Sequence, residues 1–158
     1  MQKKNVYFVQ VDVSSGKNSK IVYLPYTAGV IIANAFKDED VKAAYDFKDF
    51  IFIRKDIETA VEEMDEPAVA GFTNYVWNTE YHLALAAAIK KKYPDCVTIF
   101  GGHNIPPDAS FLEENPQVDY LCFGEGEVTF GRLLEALADG NPESVSNIAY
   151  RKDGKTFL

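Results

Sequence analysis

Short, continuously apolar runs alternate with helix-periodic stretches along this chain, and that alternation leaves few folds open. The β-rich runs occupy residues 6–11, 50–53, 68–72, 97–100 and 120–123. They show little period-2 alternation, which is how strands buried on both faces of a parallel sheet read. Between them, apolar residues recur at i, i+3, i+4 and i+7. Ile57, Ala60, Val61 and Met64 form one such stripe, Tyr81, Leu85, Ala88 and Ile89 a second, and Phe130, Leu133, Leu134 and Leu137 a third. The second helix has Asn78 and Thr79 as capping residues, Glu80 in its first turn and Lys90-Lys91-Lys92 in its last, in accord with the helix macrodipole. Residues 26–36 predict a first helix and 40–45 a short second piece. Five β/α repeats without a sequence repeat predict an α/β protein with an open, doubly wound sheet of about five parallel strands. After Gly140, residues 146–151, the turn Lys152-Asp153-Gly154 and residues 155–158 predict a C-terminal β-hairpin. The expected division is an α/β domain over 1–142 and a hairpin over 143–158, the latter leading towards a further domain of a longer parent.

Composition narrows the class. A chain of 158 residues is expected to make one domain with a sizeable core. A net charge of −8 argues against nucleic acid as a partner, and equally against an anionic membrane surface. The apolar stretches at 28–33 and 83–89 fall short of the ~20 residues that span a bilayer, and no signal peptide is apparent. Two cysteines, Cys96 and Cys122, make no disulfide framework, so a reduced, cytoplasmic setting is expected. Both sit on strand positions and read as small buried hydrophobes. No Cys/His spacing resembles a zinc site, and no Ser/His/Asp set can be placed.

In a doubly wound sheet, ligands sit at the carboxyl ends of the strands, near the point where strand order reverses. That singles out residues 12–24, 73–78, 101–107 and 124–126. Gly101-Gly102 follows a strand directly and precedes His103; the pair serves either a tight turn or the close approach of a bulky ligand. Thr73-Asn74-Tyr75, with Val76-Trp77-Asn78 behind it, reads either as the wall of a pocket for a large amphipathic ligand or as a capped loop with Trp77 in the core. Gly124-Glu125-Gly126-Glu127 opens the last helix. It follows the fifth strand, not the first, and two carboxylates would face a pyrophosphate, which argues against NAD or FAD. Glu125 either stabilises the helix terminus or accepts hydrogen bonds from ligand hydroxyl or amide groups. His82 reads as a solvated or hydrogen-bonded residue, whereas His103 sits in the expected crevice. A phosphorelay receiver would need clustered acids after the first strand, an Asp after the third and a Lys after the fifth; the chain offers Asp12, Thr73-Asn74 and Gly124-Glu125. A flavodoxin-like FMN carrier needs a hydroxyl-rich first loop, which residues 14–19 with Ser14 and Ser15 could imitate.

At these residues the sequence resembles the N-terminal B12 (cobalamin)-binding domain of cobalamin-dependent radical SAM proteins. The resemblance rests on an ordered series: Leu24-Pro25 and Gly29; the run from Gly71 to Asn78; Gly101-Gly102 with Pro106; Phe111-Leu112; Val118-Asp119-Tyr120; Gly124-Glu125-Gly126-Glu127 with Thr129-Phe130; Leu133-Leu134; Tyr150-Arg151; and Asp153-Gly154-Lys155. It implies a flavodoxin-like fold that packs a corrin against the strand carboxyl ends and runs the nucleotide tail into a crevice. Thr73 and Tyr75 match the S-x-L loop, and Gly101-Gly102 the glycine pair beside the tail. Together with the strand-end loops read above, the expected cofactor-binding residues are Ser14, Ser15, Thr73, Asn74, Tyr75, Gly101, Gly102, His103, Gly124, Glu125 and Gly126. The first loop, Asp12-Val13-Ser14-Ser15-Gly16, lacks the His of D-x-H-x-x-G, so no His from this loop ligates cobalt. The family's SAM-cleaving half uses a C-x-x-x-C-x-x-C loop holding a 4Fe–4S cluster; two distant cysteines cannot build it, so the chain is expected to be the cofactor module, with the cluster, SAM and a radical SAM barrel in the catalytic half of the parent. A cofactor-free interaction or substrate-recognition domain of the same fold is the alternative from another class, and the FMN carrier a third.

Overall fold

The computed structural model describes residues 2–13 and 22–158. The chain runs β1 (Lys4–Val9), α1 (Tyr26–Ala35), α2 (Glu39–Ala44), β2 (Tyr45–Phe47), α3 (Ile57–Glu62), β3 (Pro67–Thr73) and α4 (Thr79–Lys92). It continues through β4 (Val97–Gly101), α5 (Ser110–Glu114), β5 (Tyr120–Cys122), α6 (Gly126–Asp139), a 3-10 turn (Pro142–Ser144), β6 (Ile148–Lys152) and β7 (Lys155–Phe157). All strands join one sheet in the order β2-β1-β3-β4-β5-β6-β7. β1 to β5 are parallel, and β6 and β7 add an antiparallel hairpin to the β5 edge. The expected five parallel strands and hairpin are therefore present, in the 2-1-3-4-5 order of flavodoxin-like sheets. Asp153 and Gly154 both take positive φ at the hairpin turn, the conformation that an Asp-Gly pair favours.

Strands buried on both faces need helices on both faces. Ala28, Ile31 and Ile32 of α1 and Phe130, Leu133 and Leu134 of α6 cover one side of the sheet. Ala60 and Val61 of α3, Leu85 and Ile89 of α4 and Leu112 of α5 cover the other. Each fully buried leucine among them contributes about 1.5–3 kcal/mol. Gly71 is required by packing: Phe8 and Phe130 meet edge to face, centroids 5.1 Å apart, and a Cβ on Gly71 would lie 2.8 Å from the Phe8 ring.

Two elements differ from the sequence expectation. The second strand is Tyr45–Phe47, not 50–53. Three residues suffice because Tyr45 is buried and its hydroxyl donates to Leu134 O at 2.9 Å; burial and Asp139 push that phenol up to about 12. Phe50 instead packs its ring on Phe47 at 4.8 Å. Residues 50–53 follow the β1 edge irregularly and contribute one bridge, Val9 to Ile51. Helix α5 has no counterpart in the periodicity, since five residues are too few to display one.

A buried polar seam ties β1 to β3. Asn78 stands at the head of α4 but does not cap it. Its Nδ2 donates to Val11 O (2.9 Å) and Thr73 O (3.2 Å), while Oδ1 accepts from Tyr75 N (2.8 Å). His82, expected to be solvated or hydrogen-bonded, is fully buried, and its Nε2 accepts from Val11 N at 3.2 Å. Desolvation, aided by the charge of Arg54, holds its pKa down to about 3. The folded chain thus keeps His82 neutral where the unfolded chain protonates it below about 6.5. The stability due to neutral His82 is complete above that pH and is lost as pH falls from 6.5 towards 3. Urea unfolding across this window should show a loss of up to about 1.4 kcal/mol per pH unit from this group, and His82→Gln should remove that component of the slope.

Candidate cofactor-binding site

A crevice of about 420 Å³ opens at the carboxyl ends of β1, β3, β4 and β5, beneath α1 and α6. Its size lies in the range of small-molecule and cofactor sites. The two helices that roof it are fixed to each other and to the sheet. Asn34 Nδ2 donates to Glu127 O at 2.7 Å, and Gln10 Oε1 accepts from Ala28 N at 2.9 Å, supplying the first turn of α1 with an acceptor its own sequence lacks.

The floor is formed by the buried side chains Phe8, Ile31, Ile99, Cys122 and Phe130. Burial pushes the Cys122 thiol up to about 12, so it stays neutral and acts as a small apolar group. Thr73 is the buried polar residue among the lining side chains, and its Oγ1 has no hydrogen-bond partner among the described residues. A buried hydroxyl left unpaired costs about 1–3 kcal/mol, so this atom calls for a partner from outside the chain. The rim carries Thr27, Tyr75, His103, Gly124 and Glu125. Tyr75 and Thr27 share a hydroxyl hydrogen bond of 3.2 Å. The Tyr75 ring stacks on Trp77 at 4.8 Å with 2° between planes, and His103 leans on it at 5.8 Å. The lining includes Glu125 and Glu127 and, among the described residues, no Lys or Arg.

The crevice brings together Thr73, Tyr75, Gly101, Gly102, His103, Gly124, Glu125 and Gly126 of the residues singled out from the sequence. Asn74 is not part of its lining. Its side chain is fully buried with both amide atoms unpaired, while its backbone bonds to Gly101 O and Asn104 N. Ser14 and Ser15 lie outside the described residues. The sequence analysis missed the floor: Phe8, Ile31, Ile99 and Phe130 read only as core, because periodicity reports burial and not what a side chain is buried against. At Gly102 the close approach comes from the chain itself. Its φ is +113°, and a Cβ would lie 2.6 Å from Asn74 O. Among the described residues no group of three His, Cys, Asp or Glu side chains could hold a metal ion, and no helix is long and apolar enough to cross a membrane.

A 2-1-3-4-5 sheet with an apolar crevice under its first and last helices defines an α/β cofactor-binding domain. The B12 binding domain family matches residues 23–134, and the chain belongs to that family; cobalamin is the cofactor this membership assigns to it. The chain is 32% identical over 152 residues to the cobalamin-dependent radical SAM methyltransferase TokK of Streptomyces tokunonensis, covering 94% of this chain and 21% of that protein. It is 33% identical over 138 residues to the 2-(S-pantetheinyl)-carbapenam-3-carboxylate methyltransferase of Streptantibioticus cattleyicolor, covering 86% of this chain and 19% of that protein. The chain therefore spans about a fifth of the length of these curated relatives. Among solved structures, the RcsB response regulator of Salmonella typhimurium superposes with a TM-score of 0.59 at 14% identity, covering 89% of this chain and 62% of that one. That likeness is one of fold alone.

The geometry separates the two glycines. Gly102→Ala should lower stability by more than about 2 kcal/mol, from positive-φ strain and the Asn74 clash. Gly101→Ala meets Cys122 O at a tight 3.3 Å but carries no positive-φ strain, and should cost less. Paired thermal melts of the two variants check the difference.

Proposed function

We propose that the crevice takes the nucleotide tail of cobalamin, with the corrin resting over the strand ends, and that the chain is the cofactor module of a radical SAM methyltransferase. The observation that carries the reading is Thr73 Oγ1, an unpaired hydroxyl buried at the floor of an apolar slot. A flat heteroaromatic group is the ligand that such a slot accommodates, its faces against Phe8, Ile31 and Phe130 and a ring nitrogen on the hydroxyl. Gly101, Gly102, Gly124 and Gly126 bring backbone to the rim without side-chain bulk, Glu125 offers its carboxylate to hydroxyl or amide donors, and Tyr75 and His103 wall one side. Bound cobalamin supplies a cobalt centre able to carry a methyl group. The chain's own residues orient the cofactor and exclude water from the slot.

The surface beside the crevice supports the remainder of the reading. Leu24, Tyr26 and Val76 are 77%, 79% and 79% exposed and Trp77 49%, an apolar rim suited to a corrin and to the radical SAM barrel of the parent. SAM cleavage belongs to that barrel with its 4Fe–4S cluster, since Cys96 and Cys122 are both buried in the core. Two buried free thiols accord with a cytoplasmic setting. An FMN carrier is disfavoured because its phosphate dianion would meet Glu125 and Glu127 with no cation among the described lining residues.

Mixing the chain with hydroxocobalamin or FMN, desalting and recording the absorbance spectrum should leave a corrinoid spectrum and no flavin. Retention of FMN alone, or of neither, overturns the proposal. In the cob(II)alamin complex, EPR should show no nitrogen splitting that disappears in His103→Ala, because the first loop carries no His and His103 serves the rim.

A further inference from the structure

The crevice floor is chemically one-sided. Five apolar side chains, Phe8, Ile31, Ile99, Cys122 and Phe130, surround one buried hydroxyl, Thr73 Oγ1, which has no partner among the described residues. The polar groups of the rim are placed elsewhere: the Thr27 and Tyr75 hydroxyls engage each other, and Glu125 is exposed. A group that enters the floor can therefore be satisfied there at about one polar atom.

We propose that this floor selects among cobamides by their nucleotide base, taking a benzimidazole in preference to a purine; the proposal rests on the tail-in-crevice reading above. A benzimidazole joined to ribose through one ring nitrogen presents a single further nitrogen, which the Thr73 hydroxyl pairs as donor. Its remaining edge is hydrocarbon and meets hydrocarbon. Adenine presents additional ring nitrogens and an exocyclic amino group. Those exchange water for five side chains that offer no partner, and a polar group buried unpaired weakens binding by roughly tenfold or more. Discrimination of this kind comes from the unpaired groups of the rejected ligand, not from extra contacts to the accepted one.

Trp77 is the chain's one tryptophan and stacks on the rim residue Tyr75, so its fluorescence reports filling of the crevice, with equilibrium dialysis as an independent measure. The chain is titrated with hydroxocobalamin, with its adeninyl counterpart and with cobinamide, which lacks the nucleotide. Cobalamin should bind tightest, the adeninyl form at least about tenfold more weakly, and cobinamide also more weakly than cobalamin. Equal affinity for the two complete cobamides with weak cobinamide overturns the base selection and leaves the tail reading standing. Cobinamide binding as tightly as cobalamin, or no binding by any of the three, takes down both. Thr73→Val keeps the shape of the floor, and because Oγ1 is unpaired in the free chain its melting temperature should hold or rise. It should lose about tenfold in cobalamin affinity with cobinamide unchanged; undiminished cobalamin affinity overturns the part given to Thr73.

Discussion

At the carboxyl ends of β1 and β3 the chain leaves the sheet in opposite directions, towards α1 on one face and α4 on the other, and the seam of Asn78 and His82 holds those two ends together. Asn78 binds backbone on both sides, at Val11 and at Thr73 and Tyr75, and His82 takes the remaining Val11 group. Three of the four bonds are buried and the Tyr75 N bond is partly so, and away from water a hydrogen bond is stronger and its loss leaves a buried orphan. Neither strand end can slide without unpairing the other. The crevice inherits this rigidity, since Thr73 and Tyr75, which line it, are flanked by the residues that Asn78 fixes.

Against that rigid frame, the places where the chain departs from its own rules cluster at one end of the sheet. Thr73 Oγ1 is buried and unpaired among the described residues, Tyr26, Val76 and Trp77 stand exposed within two positions of crevice residues, and Gly102 holds a φ that disfavours any side chain. Local rules yield at functional sites and hold elsewhere. The amino ends of the strands show the contrast: Lys90 pairs with Asp119 at 2.6 Å, and Asp119 also accepts from Thr98 N and Oγ1, so these groups answer one another. No described residue pairs the Asn74 amide.

The sheet was legible in the sequence because continuous apolar runs and helical stripes encode burial, and the Asp-Gly turn encodes the hairpin. β2 escaped because a three-residue edge strand owes its place to one anchored residue, Tyr45, whose partner lies in α6. Asn78 looked like a cap and is a tether: a side chain's choice between the nearest backbone N–H and a strand 67 positions away is decided by tertiary placement alone. The rim of the crevice was legible too, since glycines and polar residues at strand ends break the apolar pattern. Its floor was not, because Phe8 and Ile99 facing a slot and Leu85 facing the core obey the same period. Gly102 was read as room for a turn or a ligand, and the neighbour that demands it, the Asn74 backbone, becomes visible only when β3 and β4 lie side by side.

The same sheet carries different chemistry depending on what stands at its strand ends. A receiver of the phosphorelay type superposes on most of this chain, yet the third strand here ends in Thr73-Asn74 where a receiver places its phosphoacceptor Asp. An acid cluster there would hold a cation and a phosphoryl group, charges that need solvent or counter-ions. Five apolar side chains and one hydroxyl hold neither. They give a low-dielectric slot, which penalises any charge placed in it and rewards flat apolar surface with about 25 cal/mol per Å² removed from water. The acidic character of the chain acts in the same direction, with Glu125 and Glu127 at the mouth turning away a phosphate dianion. Fold similarity is silent on this difference; the contents of the floor decide it.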